Sequence, residues 1–372
     1  MKRWLLLLLA LVIATSSLAQ ELPLLLSSQR RPVLVSVSAY YQDYAASGAT
    51  STELGVPAGI TEVSVPIFVQ IPLSRTVGVS LLASQATVSG EALETLTGFS
   101  DAQVILSFAR RLGRSSVVVN VGANLPSGKQ KLTRAEFGTA IPLSYNYYDF
   151  RVPGLGQGLS VSPGFTLAVP LGRGFVVGLG ASYLYKGRFE PLQHMEERFD
   201  PGDEILVTGG LDVRLGRRSA LAGDVTYTIY DRDRVGDEAV YGAGDKTTAT
   251  VQVRSRLGRF DEFRLVGRYR SRAKSDVLAD SQLVADAFRV LPDQIEVHAT
   301  YRLRVSPVLY TVLLAGGRFF EETSFFAAVK LYDVGLMPAA RLSNSLTLSS
   351  RFIYTLGDIE GFEAGGGLTV RL

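Results

Sequence analysis

The side chains best suited to catalysis are scarce in this 372-residue chain: histidine occurs only at positions 194 and 298, and cysteine is absent. Without cysteine there is no thiolate nucleophile, no thiolate metal site and no disulfide framework. His298 follows Glu296 by two residues, so in an extended strand the two share one face. A carboxylate orienting an imidazole is the start of a general base, and serine and threonine are plentiful as nucleophiles. His194 lies among Glu196, Glu197 and Asp200, which could hold a divalent ion weakly or form an ordinary solvated loop. The other chemistry is charge. Arg254, Arg264, Arg268 and Arg270 crowd two neighbouring segments, and Asp212, Asp224, Arg302, Arg351 and Glu363 recur in similar surroundings.

The elements that carry these residues have a period of two. Ile205, Val207, Gly209, Leu211 and Val213 alternate with Thr208, Gly210, Asp212 and Arg214. Val225, Tyr227 and Ile229 alternate with Asp224, Thr226 and Thr228, and Ile295, Val297, Ala299 and Tyr301 with Glu296, His298, Thr300 and Arg302. Side chains of a strand point to opposite faces in turn, so each segment has one apolar and one polar face. Every charged residue named above except those near His194 falls on a polar face. That takes His298 and Glu296 away from the apolar side, and catalysis is not expected. No cofactor-binding motif sits in a strand-to-helix setting.

Short turns link these segments at Leu73-Ser74-Arg75, Leu112-Gly113-Arg114, Leu171-Gly172-Arg173, Leu215-Gly216-Arg217, Leu257-Gly258-Arg259, Leu303-Arg304-Val305 and Leu342-Ser343-Asn344. Longer polar excursions separate them, around 45–59, 88–99, 126–156, 188–203, 232–245, 273–292, 319–323 and 357–360. Strict alternation of tight turns and long loops is the signature of an up-and-down antiparallel meander. Short turns on one side and longer loops on the other are the architecture of outer-membrane barrels. Seven short turns and two free ends imply about sixteen strands, with fourteen as the alternative count. Residues 319–342 could form one long strand or a hairpin, and 140–152 reads as loop.

Several further features indicate lipid. Lys2 and Arg3, the apolar run Trp4 to Ile13 and the small residues of Ser17-Leu18-Ala19 form a secretory leader over residues 1–19. Residues 20–31 read as a short periplasmic segment, and 32–372 as the barrel. Removing Lys2 and Arg3 leaves 36 basic against 35 acidic residues, so no charge excess favours nucleic acid. No later stretch reaches the ~18 apolar residues of a spanning helix. Tyr40, Tyr41, Tyr183, Tyr185, Tyr227, Tyr230, Tyr354 and Phe362 sit at strand ends, which suits an aromatic girdle.

One segment is more particular. Gly98-Phe99-Ser100-Asp101 precedes a strand, a tight turn, a second strand and then Asn124-Leu125-Pro126-Ser127-Gly128-Lys129. This resembles the outer-membrane channels of the phenol-degradation meta-pathway family, relatives of the long-chain fatty acid and aromatic-hydrocarbon transporters. In that family a Gly-x-x-Asp opens a strand and Leu-Pro-[Ser/Thr]-Gly closes the next hairpin. The resemblance covers 98–129 and implies diffusion of small organic compounds, hydrophobic or aromatic ones among them. Residues 20–31 are too few for the N-terminal hatch of the fatty acid transporters.

The polar faces would line the barrel interior. An arginine-rich wall predicts mild anion preference, unless the charges pair across strands and fill the lumen. The loop 126–156, with Lys129, Lys131, Arg134, Tyr145, Tyr147 and Tyr148, either folds inward as a constriction or covers the mouth. In 276–290, Leu283, Ala287 and Val290 have helical spacing behind Asp280 or Ser281, which predicts a short helix at the rim. The sequence therefore reads as a barrel in the outer membrane, its partners being lipid and a small-molecule solute. The role is a passive channel, or alternatively a structural or adhesive surface barrel with a filled lumen. Monomer and trimer both remain open.

Overall fold

The computed structural model describes residues 32–372 apart from Arg259, 280–281, 287–288, 290 and 325. The leader and the 20–31 segment lie outside the described residues. The wall strands run in chain order as β1 (Leu34–Ala46), β2 (Gly59–Pro72), β3 (Val77–Gly90), β4 (Leu93–Phe99), β5 (Ala102–Leu112), β6 (Ser115–Leu125), β7 (Ser160–Pro170) and β8 (Phe175–Lys186). After a short β9 (Phe199–Asp200) come β10 (Glu204–Leu215) and β11 (Ser219–Tyr230). The short β12 (Arg232–Val235) and β13 (Glu238–Gly242) precede β14 (Lys246–Arg256) and β15 (Glu262–Arg272). Then follow the short β16 (Asp276–Ala279) and β17 (Gln282–Ala285), and finally β18 (Gln294–Arg304), β19 (Leu309–Phe320), β20 (Val329–Arg341), β21 (Leu346–Gly357) and β22 (Ile359–Arg371).

Each wall strand pairs antiparallel with its neighbours, and β1 closes on β22 from Leu34↔Arg371 to Ala46↔Ile359. β4 and β5 continue one another along β3, interrupted at Ser100–Asp101, so the closed wall has sixteen strands. All seven short turns connect consecutive wall strands at one end. Residues 319–342 resolve as the end of β19, an outer turn and β20.

Closure pairs every wall edge, which frees the strands to expose apolar side chains without exposing backbone groups. Period-two alternation then sorts the side chains. Leu179, Val207, Val225 and Val251 face outward and are about half exposed. Tyr41, Tyr183, Tyr185, Tyr227, Tyr354 and Phe362 stand on the same outer face. Three wall strands repeat one device: the hydroxyls of Tyr183, Tyr227 and the likewise outward Tyr269 donate to Asp203, Asp245 and Asp293. Each aspartate stands just before the neighbouring strand. Tyr40 and Tyr230 depart from the girdle expectation. They have the opposite parity and face inward, where the guanidiniums of Arg151 and Arg272 lie over their rings at 4.9 and 4.5 Å. Tyr40 fits because its register partner is Gly365, where a methyl would run into the ring.

Three further readings change. Residues 88–99 are not a loop: β3 and β4 form a hairpin turning at Glu91–Ala92, because Val88 and Leu96 are inward positions that bury completely. Residues 276–279 and 282–285 pair as a hairpin, not a rim helix, since Tyr241 of β13 pairs with Val277 and extends a five-stranded outer sheet. Leu283 lies in β17; Asp280, Ser281, Ala287 and Val290 lie outside the described residues. The third is the loop after β6, which contains helix α2 (Arg134–Leu143), preceded in the chain by a shorter helix α1 (Gly48–Leu54). Thr133 and Glu136 start α2 with a reciprocal capping box: Glu136 N donates to Thr133 Oγ1 and Thr133 N to Glu136 Oε2. Phe137, Ile141 and Leu143 pack with Ile60, Val88 and Leu96, so an apolar core lies inside the outer half of the barrel, under one arc of the wall.

Candidate functional site

The inner face carries the charged residues singled out above, and most of them are paired. Arg254 meets Glu262 at 2.7 Å, and Arg264 Nη2 donates to Gln252 Oε1 at 2.8 Å. Arg268 and Arg270 share Glu296, each at 3.2 Å, and Gln294 Nε2 donates to the same carboxylate at 2.5 Å. Glu296 is therefore engaged by three donors and does not orient His298. Arg302 lies over the ring of Tyr310 at 5.2 Å, and Arg351 Nε meets Glu363 at 2.7 Å. Asp212 and Asp224 sit on the opposite arc, where small residues surround them. At the outer face His194 occupies a turn with φ 64°, and Arg188 holds Asp200 at 2.9 Å. Among the described residues no three His, Asp or Glu side chains converge on a common centre.

The 126–156 loop folds into the barrel. A loop with irregular backbone needs partners for its N–H and C=O groups when buried. Here wall side chains supply them. Arg318 Nη1 donates to the Tyr147 carbonyl at 2.9 Å. Gln42 Nε2 donates to the Asp149 carbonyl at 3.1 Å while its Oε1 accepts Arg151 N at 2.9 Å. The fully buried Glu62 accepts Val152 N at 3.2 Å. Arg318 is itself held by Asp333 at 3.0 and 3.1 Å, and Arg151 by Glu363 at 2.6 Å. All these wall residues belong to β1, β2, β19, β20 and β22, so the loop is fastened to one side.

The loop residues flagged in the sequence divide accordingly. Tyr147 and Tyr148 are buried against Phe320, Tyr44 and Phe150 and serve as anchors. Tyr145 borders the lumen. Lys129, Lys131 and Arg134 stay near the mouth: Lys129 pairs with Glu136 and Lys131 with Glu190, both at 2.5 Å, and Arg134 opens α2. Burial alone would raise the Glu136 carboxyl, but the Lys129 ammonium and the Thr133 N–H hold it below the usual range.

The opposite side of the lumen is open. A cavity of about 600 Å³ runs along β5 to β15, lined by Gly122, Gly164, Gly178 and Gly210, by hydroxyls such as Ser162 and Thr208, by the apolar Ile105, Val176 and Leu206, and by Asp212 and Asp224. A second space of about 180 Å³ separates the loop from β15 to β19, between Tyr145, Asn146 and Asp149 on one side and Arg268, Arg270 and His298 on the other. Arg268 and Arg270 border both spaces.

Gln42, Glu62, Asp149, Arg151, Arg318 and Asp333 were not singled out from the sequence. For Gln42, Glu62, Arg318 and Asp333 strand parity was the available signal, since each is a polar residue on the inner face of a wall strand.

No protein-family model and no curated protein matches the chain. Among solved structures it is similar to an outer-membrane channel from Pseudomonas putida F1, at 10% identity over 94% of this chain and 99% of that one, TM-score 0.40. It is also similar to an anion-selective porin from Comamonas acidovorans, at 11% identity over 91% and 99%, TM-score 0.42. The translocator domain of the autotransporter NalP from Neisseria meningitidis aligns at 6% identity over 93% and 91%, TM-score 0.34.

Proposed function

We propose that the chain is an outer-membrane channel through which small solutes diffuse passively along an off-centre path. The closed wall and its apolar outer face suit a bilayer, where every backbone group must be satisfied within the protein. The leader read from residues 1–19 would deliver the chain beyond the inner membrane. The observation that carries the reading is the one-sided fastening of the inward loop: it fills the arc of β1 to β4 and β19 to β22 and leaves the β5 to β15 arc lined by glycine, hydroxyl and charged groups. The inward lining also includes Ile105, Val176 and Leu206, so it suits the hydrophobic solutes implied by the family resemblance as well as small polar ones. The resemblance itself draws support from Asp101 and Ser127-Gly128, which hold the loop in place.

Protein refolded into planar bilayers and into liposomes tests this. Steady conductance and swelling in glycerol or small sugars are expected. An electrically silent, swelling-incompetent barrel would instead support the surface-adhesion role, in which the lumen is only filler.

A further inference from the structure

Five consecutive short turns carry one repeat: Leu73-Ser74-Arg75, Leu112-Gly113-Arg114, Leu171-Gly172-Arg173, Leu215-Gly216-Arg217 and Leu257-Gly258-Arg259. Each leucine ends or directly follows a wall strand with outward parity, and all five are between 51% and 64% exposed. The arginine comes two residues later, in the turn. Arg75, Arg114, Arg173 and Arg217 are exposed and make no ion pair among the described residues. Arg304 of the sixth turn differs, since it donates to the carbonyls of Ser306 and Pro307 and lies over the Phe260 ring. Charge is sorted along the barrel as well. Close to the five turns the acids are Asp212, Asp261 and Glu262, and the last two are engaged by Tyr301 and Arg254. The lysines beyond the leader, at 129, 131, 186, 246, 274 and 330, lie toward the outer loops, so the cations of the turn end are arginines.

We infer that these turns form a collar that docks the anionic phospholipid headgroups of the inner leaflet. The inference goes beyond the channel reading and shares with it only the outer-membrane placement. Each leucine enters the acyl layer at the end of its strand, and the arginine two residues on stands at the level of the lipid phosphates. A guanidinium presents a planar fork that binds phosphate bidentately, where lysine offers only a point charge. The leucine ties each arginine to the hydrocarbon edge, and the repeat follows the circumference from the β2–β3 turn to the β14–β15 turn instead of gathering in one patch. Both features favour lipid over an acidic periplasmic protein.

The test refolds the full barrel into phosphatidylcholine vesicles and compares spin-labelled phosphatidylglycerol with spin-labelled phosphatidylcholine as lipid held at its surface. Wild type should prefer the anionic label by roughly two- to fivefold, the scale of one basic residue beside an anionic membrane surface. Molar KCl should collapse that preference by screening. R75Q/R114Q/R173Q/R217Q should bring the ratio close to one, and the matching lysine variant should keep part of it. R111Q/R214Q/R256Q, at the same end but with inward parity, should keep the wild-type ratio. A wild-type ratio of one, an undiminished ratio in the turn variant, or a loss confined to the inward variant overturns the inference, and conductance then leaves the channel standing. Polyglutamate bound through the four turn arginines without any lipid preference reassigns the arc to an acidic protein and also overturns it. A silent wild-type barrel that still prefers the anionic label removes the channel and keeps the collar. Heat-modifiable gel mobility confirms that each variant is folded.

Discussion

The carboxylate of Asp101 accepts the backbone N–H of Gly128 at 2.9 Å through one oxygen and that of Gln157 at 2.7 Å through the other. One side chain, placed where β4 hands over to β5, therefore ties down both feet of the inward loop. Ser127 adds to the clamp by accepting the N–H of Ala102 at 2.9 Å.

Replacing Asp101 by alanine should free the loop while leaving the barrel assembled. Hydrogen bonds to a charged group contribute about 1.5–3 kcal/mol each, whereas the strand ladders do not involve this carboxylate. D101A should show larger and noisier single-channel currents and faster tryptic cleavage after Arg151 in intact vesicles. Currents and cleavage matching the wild type would mean that the apolar contacts of α2 hold the loop unaided.

Arg318 concerns assembly rather than gating. Its side chain is buried, bonds Asp333 through two nitrogens and reaches the Tyr147 carbonyl with a third. Removing one partner of a buried ion pair leaves the other charge uncompensated, at a cost of about 3–5 kcal/mol. R318A should lower the urea midpoint for unfolding from lipid vesicles, and R318A/D333A should recover part of the loss. Additive losses would show that Arg318 acts through packing alone.

The wall was legible in the sequence because its physics is local. A one-residue step moves a side chain from lipid to lumen, so Asp212, Asp224, Arg268 and Glu296 could be placed inward from alternation alone. The seven short turns, six of them carrying glycine or serine, marked strand ends for the same reason. What alternation does not encode is how much of the lumen a loop fills. The Thr133-x-x-Glu136 spacing announces a helix start, but the seat of α2 depends on Val88 and Leu96 in a hairpin that reads as polar excursion. The rim hairpin was missed because apolar spacing in 276–290 fits helix or strand equally, and pairing with Tyr241 decides it. The bend at Asp149 was hidden by its setting: its carbonyl is held by Gln42, 107 residues away in the chain.

The outer sheet should tighten in acid. Asp233 in β12 accepts the N–H of Gly202 at 2.7 Å, and burial raises its carboxyl from the ordinary 3.8 to about 6. Between those values the folded protein holds a proton that the unfolded chain has released. The stability linked to it is complete below about pH 4 and is lost as pH rises through 6, a loss of about 2–3 kcal/mol at most. D233N keeps an acceptor for Gly202 and carries no charge. Thermal unfolding in detergent should therefore separate D233N from wild type at pH 7.5, with the variant more stable, and bring them together at pH 4. A difference of the same size at both values would assign the effect to something other than titration.

The two faces of the wall can be set against each other with one kind of substitution. Leu179 in β8 faces outward and is 57% exposed, while Thr208 in β10 faces the open cavity. The strands are neighbours, and Leu179 pairs with Gly209, so the two positions lie at almost the same depth. A cationic side chain on the lipid face costs about 2–4 kcal/mol near the bilayer midplane, whereas one in a wet lumen stays hydrated. L179R should therefore depress folding stability in vesicles and leave the conductance of the folded fraction near wild type. T208R should fold with near wild-type stability and cut conductance, because the long side chain enters a path kept wide by Gly178 and Gly210. If the two variants exchanged phenotypes, the inside and outside of the barrel would have to be reversed.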